Sequence, residues 1–138
     1  MGDVGERRSL ITTLDVVLAV FYALAIFVVG SLHNTPAVVQ DVSDKVQHCV
    51  GFALLAWLWC RALRRFIPGA RPLGLAFGGF AISVALGGAL ELWQGVLGYR
   101  SCDFLDWVAD AIGAALGVGI PTALELWLGS RARARAAK

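Results

Sequence analysis

Charge is scarce in this chain. Of its 138 residues, 16% are Asp, Glu, Lys or Arg and 58% are hydrophobic, giving a mean hydropathy of +0.70. Soluble domains carry about 25% charged residues, so a soluble globule is a poor fit. No ten-residue segments of alternating apolar and polar character occur, which excludes a transmembrane barrel and leaves helices as the structure that satisfies backbone groups in hydrocarbon. The three cysteines cannot all pair within one chain and show no Cys-x-x-Cys spacing for metal or redox work. A Cys49–Cys102 disulfide is conceivable, but Cys49 falls within an expected helix, so free thiols are expected. There is no Gly-x-Ser-x-Gly elbow, phosphate-cradling loop or His-Glu-x-x-His pattern. Linkers and low-complexity stretches are also missing, so residues 1–138 read as one unit.

What the chain does have is four long apolar stretches, from Leu14 to Leu32, Val46 to Leu63, Pro72 to Val96 and Trp107 to Leu128. Each is close to the ~20 residues that a helix needs to cross ~30 Å of hydrocarbon. The first follows Arg7 and Arg8 as a signal peptide would, but it is too long, and Ser31-Leu32-His33 is a poor cleavage site. It reads as a retained span. The expected fold is an all-α bundle of four transmembrane helices, with Pro121 inside the fourth as a candidate kink.

Basic residues set the orientation. Arg7, Arg8, Arg61, Arg64, Arg65, Arg71, Arg131, Arg133, Arg135 and Lys138 fall at one end, and only Lys45 and Arg100 at the other. The positive-inside rule then places both termini of a multi-pass membrane protein in the cytoplasm. The tail Arg131-Ala-Arg133-Ala-Arg135 suits anionic lipid headgroups and topology anchoring rather than nucleic acid. An impermeant thiol reagent applied to intact cells is expected to label a cysteine introduced at Ala37 and not one at Ala70, in a background free of native cysteines. The reverse pattern would invert the topology.

The polar residues follow the same division, because the spans carry most of their polar side chains at the outer end and almost only arginine at the inner one. Helix two starts there with Ser43 as N-cap, and places Asp44 and His48 four residues apart on one face, where a carboxylate can orient an imidazole. Lys45 between them reads as an interface residue that snorkels. Helix three reaches the same depth with Ser83, Gly87, Glu91 and Gln94. A carboxylate one to two turns inside a span is costly unless it faces protein, water or a ligand, which singles out Glu91. Helix four follows Arg100 with Asp103, Asp106, Asp110, Gly113 and Gly117 on one stripe. First-turn acids such as Asp103 and Asp106 also serve as capping groups, and Arg100 suits recognition of phosphate or carboxylate. Antiparallel order brings these stripes to one outer-face site. Gly51, Gly74, Gly78, Gly87, Gly113 and Gly117 are expected to let the backbones close beneath it. His48 and Glu91 are the candidates for catalysis, and these two with Asp110 are the candidate metal ligands, with loop residue His33 as a further candidate ligand.

The blocks Asp44-Lys45-Val46-Gln47-His48, Glu91-Leu92-Trp93-Gln94, Arg100-Ser101-Cys102-Asp103-Phe104-Leu105-Asp106 and Gly113-x-x-x-Gly117 resemble, in this order, the VanZ-like family of small bacterial membrane proteins. The resemblance covers about three of the four helices, and the family usually has Asn where this chain has Asp110. It implies an integral membrane protein with a site on the outer face. The family's namesake is linked to resistance to the glycopeptide teicoplanin, so the resemblance implies no particular reaction or cofactor.

Two functional expectations follow. In the first, Asp44, Lys45, His48, Glu91, Gln94, Arg100, Asp103, Asp106 and Asp110 bind an envelope lipid, a peptidoglycan precursor or a protein partner. In the second, His48, oriented by Asp44, works with Glu91 as acid and base on an envelope lipid or glycan, with or without a metal. An accessory subunit of a larger membrane complex is a third reading. Transport fits less well, because the helices turn almost purely apolar below Ser83 and Gly113.

Overall fold

In hydrocarbon a backbone has no water to bond to, so each apolar stretch closes its own hydrogen bonds as a helix. The computed structural model describes residues 2–32, 42–100 and 102–137, with side chains from Leu10 onward. His33 therefore lies outside the described residues. Four helices follow in order: α1 (Gly2–Gly30), α2 (Asp44–Phe66), α3 (Pro72–Val96) and α4 (Phe104–Ala136). All four are long and apolar enough to cross a membrane, and the chain is an all-α, four-helix membrane protein.

The observed helices are longer than the apolar stretches, except α3, because a helix does not stop where hydrophobicity does. Arg64 and Arg65 extend the last turn of α2, where cations complement the helix dipole. The Arg-Ala tail carries α4 to Ala136, since both residues are strong helix formers. Helix α4 also runs through Pro121 without interruption. Ser43 stands at the N-cap of α2 as expected, but its side chain makes no capping bond. Gly69 and Gly98 in the two tight turns have φ of +86° and +74°, a backbone region that suits glycine.

The bundle is built around α2, which packs most extensively on α4, while α1 lies against α2 and touches α3 only slightly. Small residues set the α2–α4 approach. A Cβ on Gly113 would overlap the Cys49 carbonyl, and one on Gly117 would overlap that of Ala53 one turn below. Such contact between backbones is how small-residue stripes hold membrane helices together, where burial from lipid gives no hydrophobic gain. Gly79 similarly sits against the Ala56 carbonyl, whereas a Cβ on Gly74 would meet nothing within 4 Å and one on Gly51 only Ile26 at 3.9 Å. Those last two are not contact glycines: Gly74 is exposed in the first turn of α3, and Gly51 faces a cavity.

Two apolar clusters fill the interior. Ala56, Cys60, Leu75, Ala76, Ala114 and Val118 join α2, α3 and α4. Phe52, Leu55 and Leu90 lie under α1, against Tyr22, Ile26 and Phe27. The outer surface exposes large apolar side chains such as Leu14, Phe21, Phe77, Leu92 and Ile120. A continuous apolar coat of this kind suits contact with a lipid bilayer.

The basic end is less purely basic than its sequence suggests. Asp15 of α1, 5% exposed, accepts from Arg61 at 2.5 Å and from Arg65 at 3.3 Å. Glu125 of α4 takes a bidentate pair from Arg64 at 2.9 and 2.7 Å. These ion pairs link α1 and α4 to α2. Trp57 and Trp127 carry Arg61 and Arg131 over their rings at 4.8 and 3.8 Å.

Candidate functional site

At the opposite, acidic end, α2 and α4 begin while α1 and α3 finish. With a rise of about 1.5 Å per residue, His48, Glu91 and Asp110 each lie roughly 6–9 Å inside their helix ends, and the three side chains meet. His48 Nδ1 is 2.8 Å from Asp110 Oδ1 and 4.0 Å from Glu91 Oε1. The carboxylates are 0% and 3% exposed, respectively. Phe52 stacks on the imidazole one turn deeper, with ring centroids 6.3 Å apart and planes at 5°.

The partner that orients His48 is therefore Asp110, across the α2–α4 interface, and not Asp44 on its own helix. Asp44 is exposed, so it makes no buried pair with the ring. It nonetheless stays close, since ligand atoms of Asp44, His48 and Asp106 all lie within 4.8 Å of one another. Room for Asp110 comes from Gly87 on α3: a Cβ there would come within 2.5 Å of Asp110 Oδ2. That glycine was expected to serve backbone packing; it accommodates a carboxylate instead.

Glu91 has two differently used oxygens. Oε2 accepts the backbone N–H of Asp103 at 2.9 Å, which steadies the start of α4. Oε1, like Asp110 Oδ2, is buried without a hydrogen-bond partner, and buried carboxylate oxygens rarely stay so. Lys45 reaches across to α4 and bridges Asp103 at 3.1 Å and Asp106 at 2.8 Å, so it is an inter-helix tie rather than a residue that only snorkels. Asp103 is the N-cap of α4, with Oδ1 accepting from Leu105 N–H at 2.8 Å. That N–H, and then Lys45, hold the Asp103 carboxyl below its usual range. Its favourable contribution is thus present above the ordinary carboxylate pKa and fades as the pH falls through the lowered one.

Gln94 and Arg100 serve another part of this end. Gln94 Nε2 donates to the Gly30 carbonyl at 2.9 Å and Arg100 Nη2 to that of Leu32 at 3.1 Å, while Tyr99 OH donates to Ser31 at 2.6 Å. Together they satisfy carbonyls left over at the C-terminus of α1. The nine residues expected to form one site therefore divide into an acidic cluster on α2, α3 and α4 and a clamp on α1. All three cysteines are free thiols.

A cavity of about 430 Å³ adjoins both parts and runs between α1 and α2. Tyr22, Ile26, Phe52 and Leu90 supply apolar wall, while Asp44, Gln47, His48, Gln94 and Arg100 line its polar end. Val29, Val46 and Val50, also in its lining, are exposed, so the cavity opens sideways at the apolar coat. The groove is not legible in the sequence, where Tyr22 and Val50 read only as members of apolar helices and Gly51 as a packing glycine.

No protein family, curated protein or solved structure matches the chain.

Proposed function

We propose that this chain is a VanZ-like protein of the bacterial cytoplasmic membrane that binds an amphiphile drawn sideways from the bilayer. Its apolar chain occupies the α1–α2 groove, and its headgroup meets Gln47, His48, Gln94 and Arg100 at the outward-facing acidic end. The observation that carries this reading is the cavity itself, apolar along its length and polar at one end. Its volume falls within the ~300–1,000 Å³ of ordinary ligand sites. Lipid tails are as apolar as the groove, so moving a chain from bilayer to groove gains little. Selectivity then has to come from hydrogen bonds and charge at the polar end, which favours an envelope lipid or lipid-linked precursor with a distinctive headgroup. Binding such a molecule is also a route by which the protein would contribute to glycopeptide resistance.

Acid–base catalysis is the second reading. The observation favouring it is an imidazole oriented by a buried carboxylate, with another carboxylate oxygen 4.0 Å away. Among the described residues no hydroxyl or thiol is hydrogen-bonded to His48, whose side-chain partner is Asp110, so the geometry favours binding.

Photo-crosslinking tests the groove. A phospholipid bearing a diazirine on its acyl chain is expected to label Tyr22, Ile26, Val50 or Leu90 in excess over outward-facing Phe77 and Ile120. Uniform labelling of the apolar coat would remove the groove as a binding site.

A further inference from the structure

We propose that His48, Glu91 and Asp110 form a binding site for one divalent transition-metal ion, a function separate from amphiphile binding in the groove. Ligand atoms from these three residues, one from each of α2, α3 and α4, lie within 4.8 Å of one another. A single cation can touch all three at ligand distances of about 2.0–2.2 Å with small side-chain movements.

Two further observations point to a cation rather than to a closed hydrogen-bond network. First, Glu91 Oε1 and Asp110 Oδ2 are buried without partners, and Glu91 Oε1 is the very atom that faces His48 Nδ1 at 4.0 Å. Neither oxygen is satisfied by the protein, and a metal would satisfy the first directly. Second, the charges do not balance. Asp44, Glu91, Asp103, Asp106 and Asp110 gather here, and Lys45 is committed to Asp103 and Asp106. Among the described residues His48 alone then faces Glu91, Asp110 and nearby Asp44. Arg100 directs its guanidinium to the Leu32 carbonyl at the groove end rather than to these acids. Excess carboxylate in a low-dielectric setting is costly unless it is protonated, paired or coordinated to a metal, and only the metal also satisfies an oxygen that the protein leaves without a donor.

The donor set narrows the ion. An imidazole nitrogen with two carboxylates suits Zn²⁺ or Mn²⁺ better than Mg²⁺, which prefers all-oxygen octahedra and keeps its waters. Three protein ligands leave a coordination position open, as in metal sites that accept water or a ligand atom. His48 also lines the groove, which places the ion beside the headgroup end.

Purified full-length protein in detergent, with Cys49 and Cys102 replaced by Ser and metals stripped by chelation, tests the site. Calorimetric titration is expected to give one Zn²⁺ per chain, and Co²⁺ should produce a visible d–d band. Loss of an outer-shell partner alone costs 10–100-fold in metal affinity. His48→Gln, Glu91→Gln and Asp110→Asn, each of which removes or neutralises a direct ligand, are therefore expected to weaken Zn²⁺ binding by about 100-fold or more. Glu91→Gln keeps an oxygen able to accept the Asp103 N–H, so circular dichroism and melting of its metal-free form should match wild type. Gly51→Phe, which blocks the groove, should leave Zn²⁺ affinity unchanged, so this site and the amphiphile reading can fail separately. Equal Zn²⁺ binding by wild type, His48→Gln and Glu91→Gln would overturn the proposal. So would no stoichiometric binding by wild type, or loss in Asp44→Asn with retention in Glu91→Gln.

Discussion

Gly113→Val is expected to destabilise the bundle by roughly 3 kcal/mol, the upper end of the range for overpacked cores. The obstacle is backbone: any Cβ at this position would overlap the Cys49 carbonyl, and α2 cannot yield there without also separating from Gly117 at Ala53. Flexible side chains could rotate aside; a carbonyl within a helix cannot. The same change at Gly119, where a Cβ would meet nothing within 4 Å, should alter stability by no more than about 0.5 kcal/mol. Reversible unfolding in mixed micelles, followed by circular dichroism, measures both. Similar stabilities for the two variants would mean that α2 and α4 are not held by close backbone contact. Because Asp110 lies one turn above Gly113, spreading the helices should also separate it from His48.

The second large effect falls on function rather than stability. If the proposed VanZ-like function holds, His48→Gln and Glu91→Gln are expected to accumulate in the membrane at normal levels yet lose the envelope or glycopeptide-susceptibility phenotype that this function implies. Both substitutions preserve size and some hydrogen-bonding capacity. Glutamine at position 91 can still accept from Asp103, which is the structural duty of Glu91 Oε2. What disappears is the basic nitrogen in one case and the charge in the other. Asp110→Asn should have a milder effect, because an amide oxygen still reaches His48. Immunoblotting of membranes alongside the phenotype separates folding from function. A normal phenotype in all three variants would reduce the cluster to a structural network.

Much of this arrangement was legible in the sequence because a membrane simplifies the code. Long apolar runs have one helical solution, and antiparallel order carries Asp44–His48, Glu91 and Asp103–Asp110 to one end whatever the packing details. Gly113 and Gly117 were recognisable as a contact stripe by their spacing. Partner choice was less legible, since periodicity gives the face of a side chain and not the atom across from it. Asp44 looked like the natural orienter of His48 from four-residue spacing, yet Asp110 occupies the buried side of the ring. Gln94 and Arg100 share depth with the acids but point at the C-terminus of α1, a distinction set by how α1 leans on the bundle. Asp15 and Glu125 were overlooked because neighbouring arginines dominate the pattern at their end. The groove was invisible for a related reason: a gap between two apolar helices depends on how they fit, and composition does not record it.

Gly51 offers the most direct test of amphiphile binding, because it lines the groove and a Cβ there meets only Ile26 at 3.9 Å. Alanine at this position should fit, whereas phenylalanine should fill the space between α1 and α2. Native mass spectrometry of protein extracted from its own membrane in mild detergent is expected to show one tightly retained lipid of a single headgroup class on wild type and Gly51→Ala. The same lipid should be absent from Gly51→Phe of equal fold content. Equal retention by all three proteins, or a mixture of headgroups that mirrors the bulk membrane, would contradict the account.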